Sequence, residues 1–153
     1  MSSASPSAAP GARRPRRRPG ENRAGLIAAG TIEFGLHGYA AAQTSAIAER
    51  AGVSQPNVYA NFSSKRELFL ACVRALSPDA LASGTPASGT PARGSAGAPE
   101  LLLYQAVAAA AGAELAAELP AALRELRDQV GNDRFHQALL SAAARLLLAD
   151  PGM

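Results

Sequence analysis

The chain has no tryptophan, one cysteine and two histidines in 153 residues, with only four phenylalanines and three tyrosines. A single thiol, Cys72, excludes an internal disulfide and fits a reducing compartment. It reads as a small buried apolar residue rather than a sensor, since a reactive thiol needs exposure and a cationic neighbour. His37 and His136 stand without acids or cysteines at ligand spacing, so neither a metal nor a cofactor is expected. No apolar run reaches membrane-span length: the alanine-rich Val107–Ala111 is short and is followed by Gly112 and Glu114. The N-terminus, made of Pro, Ser and Arg, lacks the apolar core of a secretory signal. A cytosolic protein without a membrane partner is therefore expected. Catalytic sets are missing too, with no glycine-rich phosphate loop, no histidine-containing acid–base group and no nucleophile beside a base. Ser63-Ser64-Lys65 resembles a Ser/Lys pair only superficially, because a helix cap accounts for it, and no enzyme is expected.

Charge is present but unevenly spread. Residues 1–77 carry a net +6 and residues 78–153 a net −3. A basic front and an acidic rear suit a molecule that sets one end on phosphate and keeps the other away from it. Residues 1–21 are rich in Ser, Ala, Pro and Arg, cannot bury a core and are expected to be disordered. Within them Arg13, Arg14, Arg16, Arg17 and Arg18 form a cationic arm, either a phosphate-tracking or minor-groove element or a solvated tail.

The stretch Thr44 to Leu68, TSAIAERAGVSQPNVYANFSSKREL, is the most informative. Thr44 or Ser45 can cap a helix that holds Ile47 and Ala48, and Gly52 can end it in the left-handed conformation. Ser54 can cap a second helix with Pro56 in its first turn, where a missing N–H is harmless. Ile47, Ala48, Val53 and Val58 supply the apolar crossing, and Gln55, Asn57, Tyr59 and Asn61 are left facing outward. Ser64 and Glu67 then form a capping box that opens a third helix, with Leu68, Phe69, Cys72, Val73 and Leu76 as its buried stripe. Two helices joined by a glycine turn in this way are the layout of a helix-turn-helix, so double-stranded DNA is the expected partner. Gln55 and Asn57 open the recognition helix, and both amides can bond adenine edges bidentately, so base contacts are assigned to them. Thr44, Ser45, Ser54, Tyr59, Asn61 and Lys65 are assigned to phosphate contacts. The Tyr59 ring can alternatively pack on the first helix with its hydroxyl outside.

From about Leu26 to Leu76 the chain resembles the DNA-binding domain of the TetR (tetracycline-repressor-like) family. The resemblance rests on Phe34, Gly38-Tyr39, Thr44-Ser45, Ile47-Ala48, Ala51-Gly52-Val53-Ser54, Tyr59, Phe62, Ser64-Lys65 and Leu68. It implies an all-α protein: a three-helix reader, then a helical domain that forms a homodimer and usually binds a small-molecule effector. The implied function is a transcriptional regulator, a repressor on a near-palindromic operator, working in the cytoplasm on the nucleoid. Ala60 and Asn61 depart from the bulkier residues the family often has there.

Four segments follow: an arm (1–21), a reader (22–77), a flexible Pro/Gly/Ser/Ala linker without helix (78–99), and a short helical dimerisation domain (100–153). The first helix is expected over Asn22 to His37, ended by Gly38. Rear helices are expected over Glu100 to Glu118, Ala121 to Val130 and Asp133 to Ala149, the last with Phe135, Leu139, Ala142 and Leu146 on one face. About fifty residues after the linker leave little room for a full effector cavity. Other readings stay open: a truncated regulator, a non-specific DNA binder driven by its arm, or a helix-mediated interaction partner. Deleting residues 1–20 separates the second of these from a specific reader. The slope of log affinity against log salt should flatten by about 0.9 for each phosphate that the arm no longer neutralises, while the preference for one duplex over another survives.

Overall fold

A computed structural model describes residues 18–85 and 95–149. Arg13, Arg14, Arg16 and Arg17 lie outside the described residues; Arg18 does not belong to a free arm but is the N-cap residue of the first helix. Among the described residues there are eight helices and no strand: α1 (Pro19–Ala41), α2 (Thr44–Ala51), α3 (Gln55–Asn61), α4 (Lys65–Arg74), α5 (Pro78–Ser83), α6 (Ala98–Ala109), α7 (Leu119–Val130) and α8 (Asn132–Leu148). None is long and apolar enough to cross a membrane.

The first helix starts three residues earlier than the sequence suggests, because Pro19 fits the first helical position and the Glu21 carboxylate accepts the Arg18 N–H at 3.1 Å. Gly38 breaks it as expected, with φ 75° and ψ 173°, leaving one short turn before Ala42. Leu26, Ile32 and Phe34 are buried along it. Against Leu26 and Phe34 pack Ile47, Ala48 and Val58 from α2 and α3, and Leu68, Phe69, Cys72 and Val73 from α4. Val53, between α2 and α3, is only partly buried at the edge of this core. Gly52 closes α2 at φ 69°, where a Cβ would find open space but a strained backbone.

The stretch 78–99, expected to carry no helix, is helical at both ends. Ser77 caps α5 by accepting the Ala80 N–H at 3.2 Å, Pro78 takes the first position, and Gly84 ends it in the left-handed region. The Gly97 N–H then donates to the Gly84 carbonyl at 2.7 Å, so the two ends of the intervening segment are pinned together. The same Pro and Gly that break helices in mid-span serve here as start and stop. Residues 86–94 lie outside the described residues.

Consequently α6 folds back along α1, burying Leu102 and Leu103 completely. The two helices approach closely at Gly35, where an added Cβ would lie 3.0 Å from the Ala98 carbonyl and 3.3 Å from Leu101 Cβ. Helix α6 stops at Ala109, short of the expected Glu118. From Ala110 to Glu118 the chain runs in turns about Gly112, with Leu115 plugged into the core. Phe135 and Ala142 of α8 are buried and Leu139 and Leu146 half-buried, as the face predicts.

Two glycine substitutions separate packing from backbone strain. Gly35→Val should cost about 1–3 kcal/mol by forcing α1 and α6 apart, and Gly52→Ala about 1 kcal/mol from φ alone. Equilibrium urea unfolding, read by helical circular dichroism, measures both.

Candidate nucleic-acid interface

The exposed end of α3 lies beside the start of α2, and there several polar side chains meet. The Gln55 amide nitrogen donates to the Thr44 hydroxyl at 3.4 Å, and the Tyr59 and Thr44 hydroxyls are 3.3 Å apart. Ile47, Ala48 and Val58 beneath them hold the two helices at this spacing. Gln55 and Ser45 are exposed, and Asn57 and Thr44 are half-buried. Tyr59 keeps 51% of its surface open.

The caps differ from expectation. Gln43, not Thr44 or Ser45, is the N-cap residue of α2, and no side chain caps that helix. Ser54 is the N-cap residue of α3 but accepts no backbone N–H; the Asn57 amide donates to its hydroxyl at 3.4 Å instead. With its backbone donors uncapped by any side chain, the start of α2 can serve an incoming phosphate oxygen. The Ser64 hydroxyl caps α4 by accepting the Glu67 N–H at 3.1 Å. The Glu67 carboxylate, however, turns back one residue further than a capping box requires, accepting the N–H of Ser63 at 2.7 Å and its hydroxyl as well. Those two bonds hold the Glu67 carboxyl below its usual range.

Two candidate phosphate contacts are engaged inside the protein. The Asn61 amide donates to the Asn57 carbonyl at 2.8 Å, and its own carbonyl accepts from Arg23 at 2.8 Å. Arg23 lies over the Phe62 ring, 4.3 Å from its centre, and so fastens the end of α3 to α1. Lys65 Nζ donates to the Ala40 carbonyl at 3.1 Å and lies 5.2 Å from the centre of the Tyr39 ring. That bond occupies one of its three N–H donors.

Sequence periodicity misses the ion pairs that steady this platform. Glu33, buried on α1, has its carboxylate 3.8 Å from Arg50 of α2 and 3.8 Å from His37. His37 therefore does have an acid nearby, one helical turn back, contrary to the sequence expectation. Among the described residues no three His, Cys, Asp or Glu side chains gather as a metal site would need. The segment between α6 and α7 also grips the reader: the Tyr39 hydroxyl donates to Glu114 at 2.7 Å, and Arg66 pairs with Glu118 at 3.0 Å. Burial, and then the Glu114 bond, push the Tyr39 phenol up to about 12. It therefore remains a donor at any physiological pH.

Residues 26–72 match the family model described as bacterial regulatory proteins, tetR family. Over 76 residues the chain is 49% identical to the HTH-type transcriptional activator FasR of Mycolicibacterium smegmatis, in an alignment covering 48% of this chain and 34% of that protein. The chain thus spans about a third of the length of the curated relative it matches. A crystal structure from Mesorhizobium loti, assigned to the TetR family of transcriptional regulators, superposes with a TM-score of 0.55 at 22% identity. That match covers 88% of this chain and 72% of the other, and it shows a shared fold.

Cys72 sits under the reader at 0% exposure, and burial pushes its thiol up to about 12. A thiol with a raised folded-state value stabilises the fold below pH 9, and that contribution fades as pH climbs toward 12. Iodoacetamide at pH 8 should leave Cys72 unmodified in the folded protein and alkylate it fully in denaturant. Rapid labelling of the folded chain would reinstate it as a candidate sensor.

Proposed function

We propose that this chain, whose N-terminal domain belongs to the TetR family, is a DNA-binding transcriptional regulator that grips a near-palindromic operator as a homodimer. The observation that carries the reading is the joining of Gln55, Thr44 and Tyr59 across the α2–α3 crossing. It presents one amide and two hydroxyls from two helices on a single outward surface. Gln55 and Asn57 are the base-reading residues, their amides matching the adenine edge in the major groove. Thr44, Ser45, Tyr59 and Lys65 take phosphates and set the register. Ser54 and Asn61 contribute less, because each is hydrogen-bonded to its own helix. The arginines ahead of α1 add a sequence-tolerant, salt-sensitive grip.

Support for a dimer comes from α8. Leu140, Leu147 and Leu148 are 72%, 81% and 84% exposed on one side of that helix, a stripe a second copy would cover. The Tyr39–Glu114 and Arg66–Glu118 ties join each reader to its rear helices, so the dimer contact would fix the spacing of the two readers. The sense of regulation for this chain is repression by occlusion, which requires only that the protein hold its site. FasR is named an activator, and a reader of this kind serves either sense according to where its operator lies.

Selection from a randomised duplex pool tests the reading without the operator having to be identified first. Wild-type protein should enrich a two-half-site sequence. Gln55→Ala with Asn57→Ala should lose at least about thirtyfold in discrimination, from roughly 1–3 kcal/mol for each amide–base pair. Lys65→Ala should weaken every duplex alike. Unchanged enrichment by the double variant would sink the assignment. Sedimentation at micromolar concentration tests the dimer, which Leu140→Glu with Leu147→Glu should convert to monomer; a monomeric wild type would rule out the homodimer.

A further inference from the structure

Asn57, one of the two residues assigned to base reading, is held only loosely by its own side chain. Its amide donates to the Ser54 hydroxyl at 3.4 Å, longer than the roughly 2.7–3.2 Å of a strong N–H···O bond. Helix α3 has seven residues, and the last four carbonyls of any α-helix lack partners within it. The direction of the Asn57 amide therefore depends on what fixes the backbone beneath it.

Two hydrogen bonds supply that hold. The Asn61 side-chain amide donates to the Asn57 carbonyl at 2.8 Å, one turn back along α3. The Asn61 carbonyl, at the end of the helix, accepts from Arg23 of α1 at 2.8 Å. The Arg23 guanidinium also lies over the Phe62 ring, 4.3 Å from its centre, and that ring is buried. Phe62 is the C-cap residue of α3, with its N–H on the Val58 carbonyl at 2.9 Å. Arg23 thus meets one helix end twice, through a donor and through a ring, and positive charge is favourable at a helix C-terminus.

We infer that Arg23 and Asn61 are positioning residues for base reading. A relay of two bonds, from α1 to Asn61 and from Asn61 to Asn57, fixes the backbone that aims the Asn57 amide. Neither residue needs to touch DNA in this role, although Arg23 is exposed and Asn61 is of a type that suits phosphate. The effect on reading rests on the proposed regulator function, with Asn57 at a base edge; the hold on α3 does not.

The test uses the full chain, the duplex enriched from the randomised pool and a scrambled duplex of the same composition. Arg23→Met keeps an apolar stem against Phe62 but loses the donor, and Asn61→Ala removes the amide; circular dichroism checks that both fold. Each should lower the preference for the enriched duplex by at least about fivefold, part of what one bidentate amide–base pair supplies. In an Asn57→Ala background neither should lower it further, because the relay acts through that residue. Without DNA, amide hydrogen exchange in α3 should quicken severalfold in Arg23→Met while α2 keeps its wild-type rates. The relay is overturned by unchanged exchange in α3, by full preference in either variant, or by a further loss on top of Asn57→Ala, which would mark a merely structural role. It is equally overturned if Arg23→Met weakens both duplexes alike and flattens the salt slope by about 0.9, which would make Arg23 a phosphate contact. Preference absent in wild type, or untouched by Asn57→Ala, sinks base reading by Asn57 and the relay with it. Preference lost in Asn57→Ala but kept in the two relay variants sinks the relay alone.

Discussion

The molecule turns on an aromatic contact at the end of α1. Phe34 and Phe69 meet edge to face with ring centres 5.0 Å apart, and Tyr39 lies 5.1 Å from Phe69. Such pairs contribute about 0.5–1.5 kcal/mol each beyond the area they bury. Their larger effect is positional, because they set α4 against α1 just where Gly38 bends the chain toward α2. The same Tyr39 then reaches outward to Glu114 and lies beneath Lys65. One small cluster therefore joins the core, the start of the reader and the segment between α6 and α7. In a chain with seven aromatic residues, three are gathered at this junction.

From that junction the reader is fastened at several further points. Glu33 with Arg50 holds α2, and Arg23 holds the end of α3 through Asn61 and Phe62. Val58 anchors α3 from below, so that Gln55 and Tyr59 reach Thr44 of α2 and Asn57 reaches Ser54. A seven-residue helix has little stability of its own, so its geometry is inherited from the helices it crosses. Removing apolar support beneath α3 would therefore blur base reading before any reading residue is altered.

Much of this was legible in the sequence, and the rest was hidden for definable reasons. Gly52, Ser64 and the stripe from Leu68 to Leu76 are local signals whose structural result depends only on neighbours in the chain. The segment after Leu76 misled because Pro78 and Gly84 read as breakers yet act as start and stop of a six-residue helix. The hydrogen bond from Gly97 to Gly84 leaves no pattern in composition. Arg23 with Asn61 spans 38 residues and Tyr39 with Glu114 spans 75, so no periodicity could pair them. Glu100 stands in the sequence only as the start of an expected helix, and nothing local marks it as buried. For the interface, the outward residue types were legible, but which of them the protein uses for itself was not. Asn61 and Ser54 became internal partners once α3 was placed.

The most direct measurement is fluorescence anisotropy with the duplex upstream of this protein's own gene and with a scrambled duplex, across a salt series. Preference for the native duplex that persists at physiological salt is the expected result, since base contacts survive when phosphate contacts weaken. Equal binding to both duplexes, vanishing as salt rises, would contradict sequence reading by α3 and leave only a charged grip on phosphate.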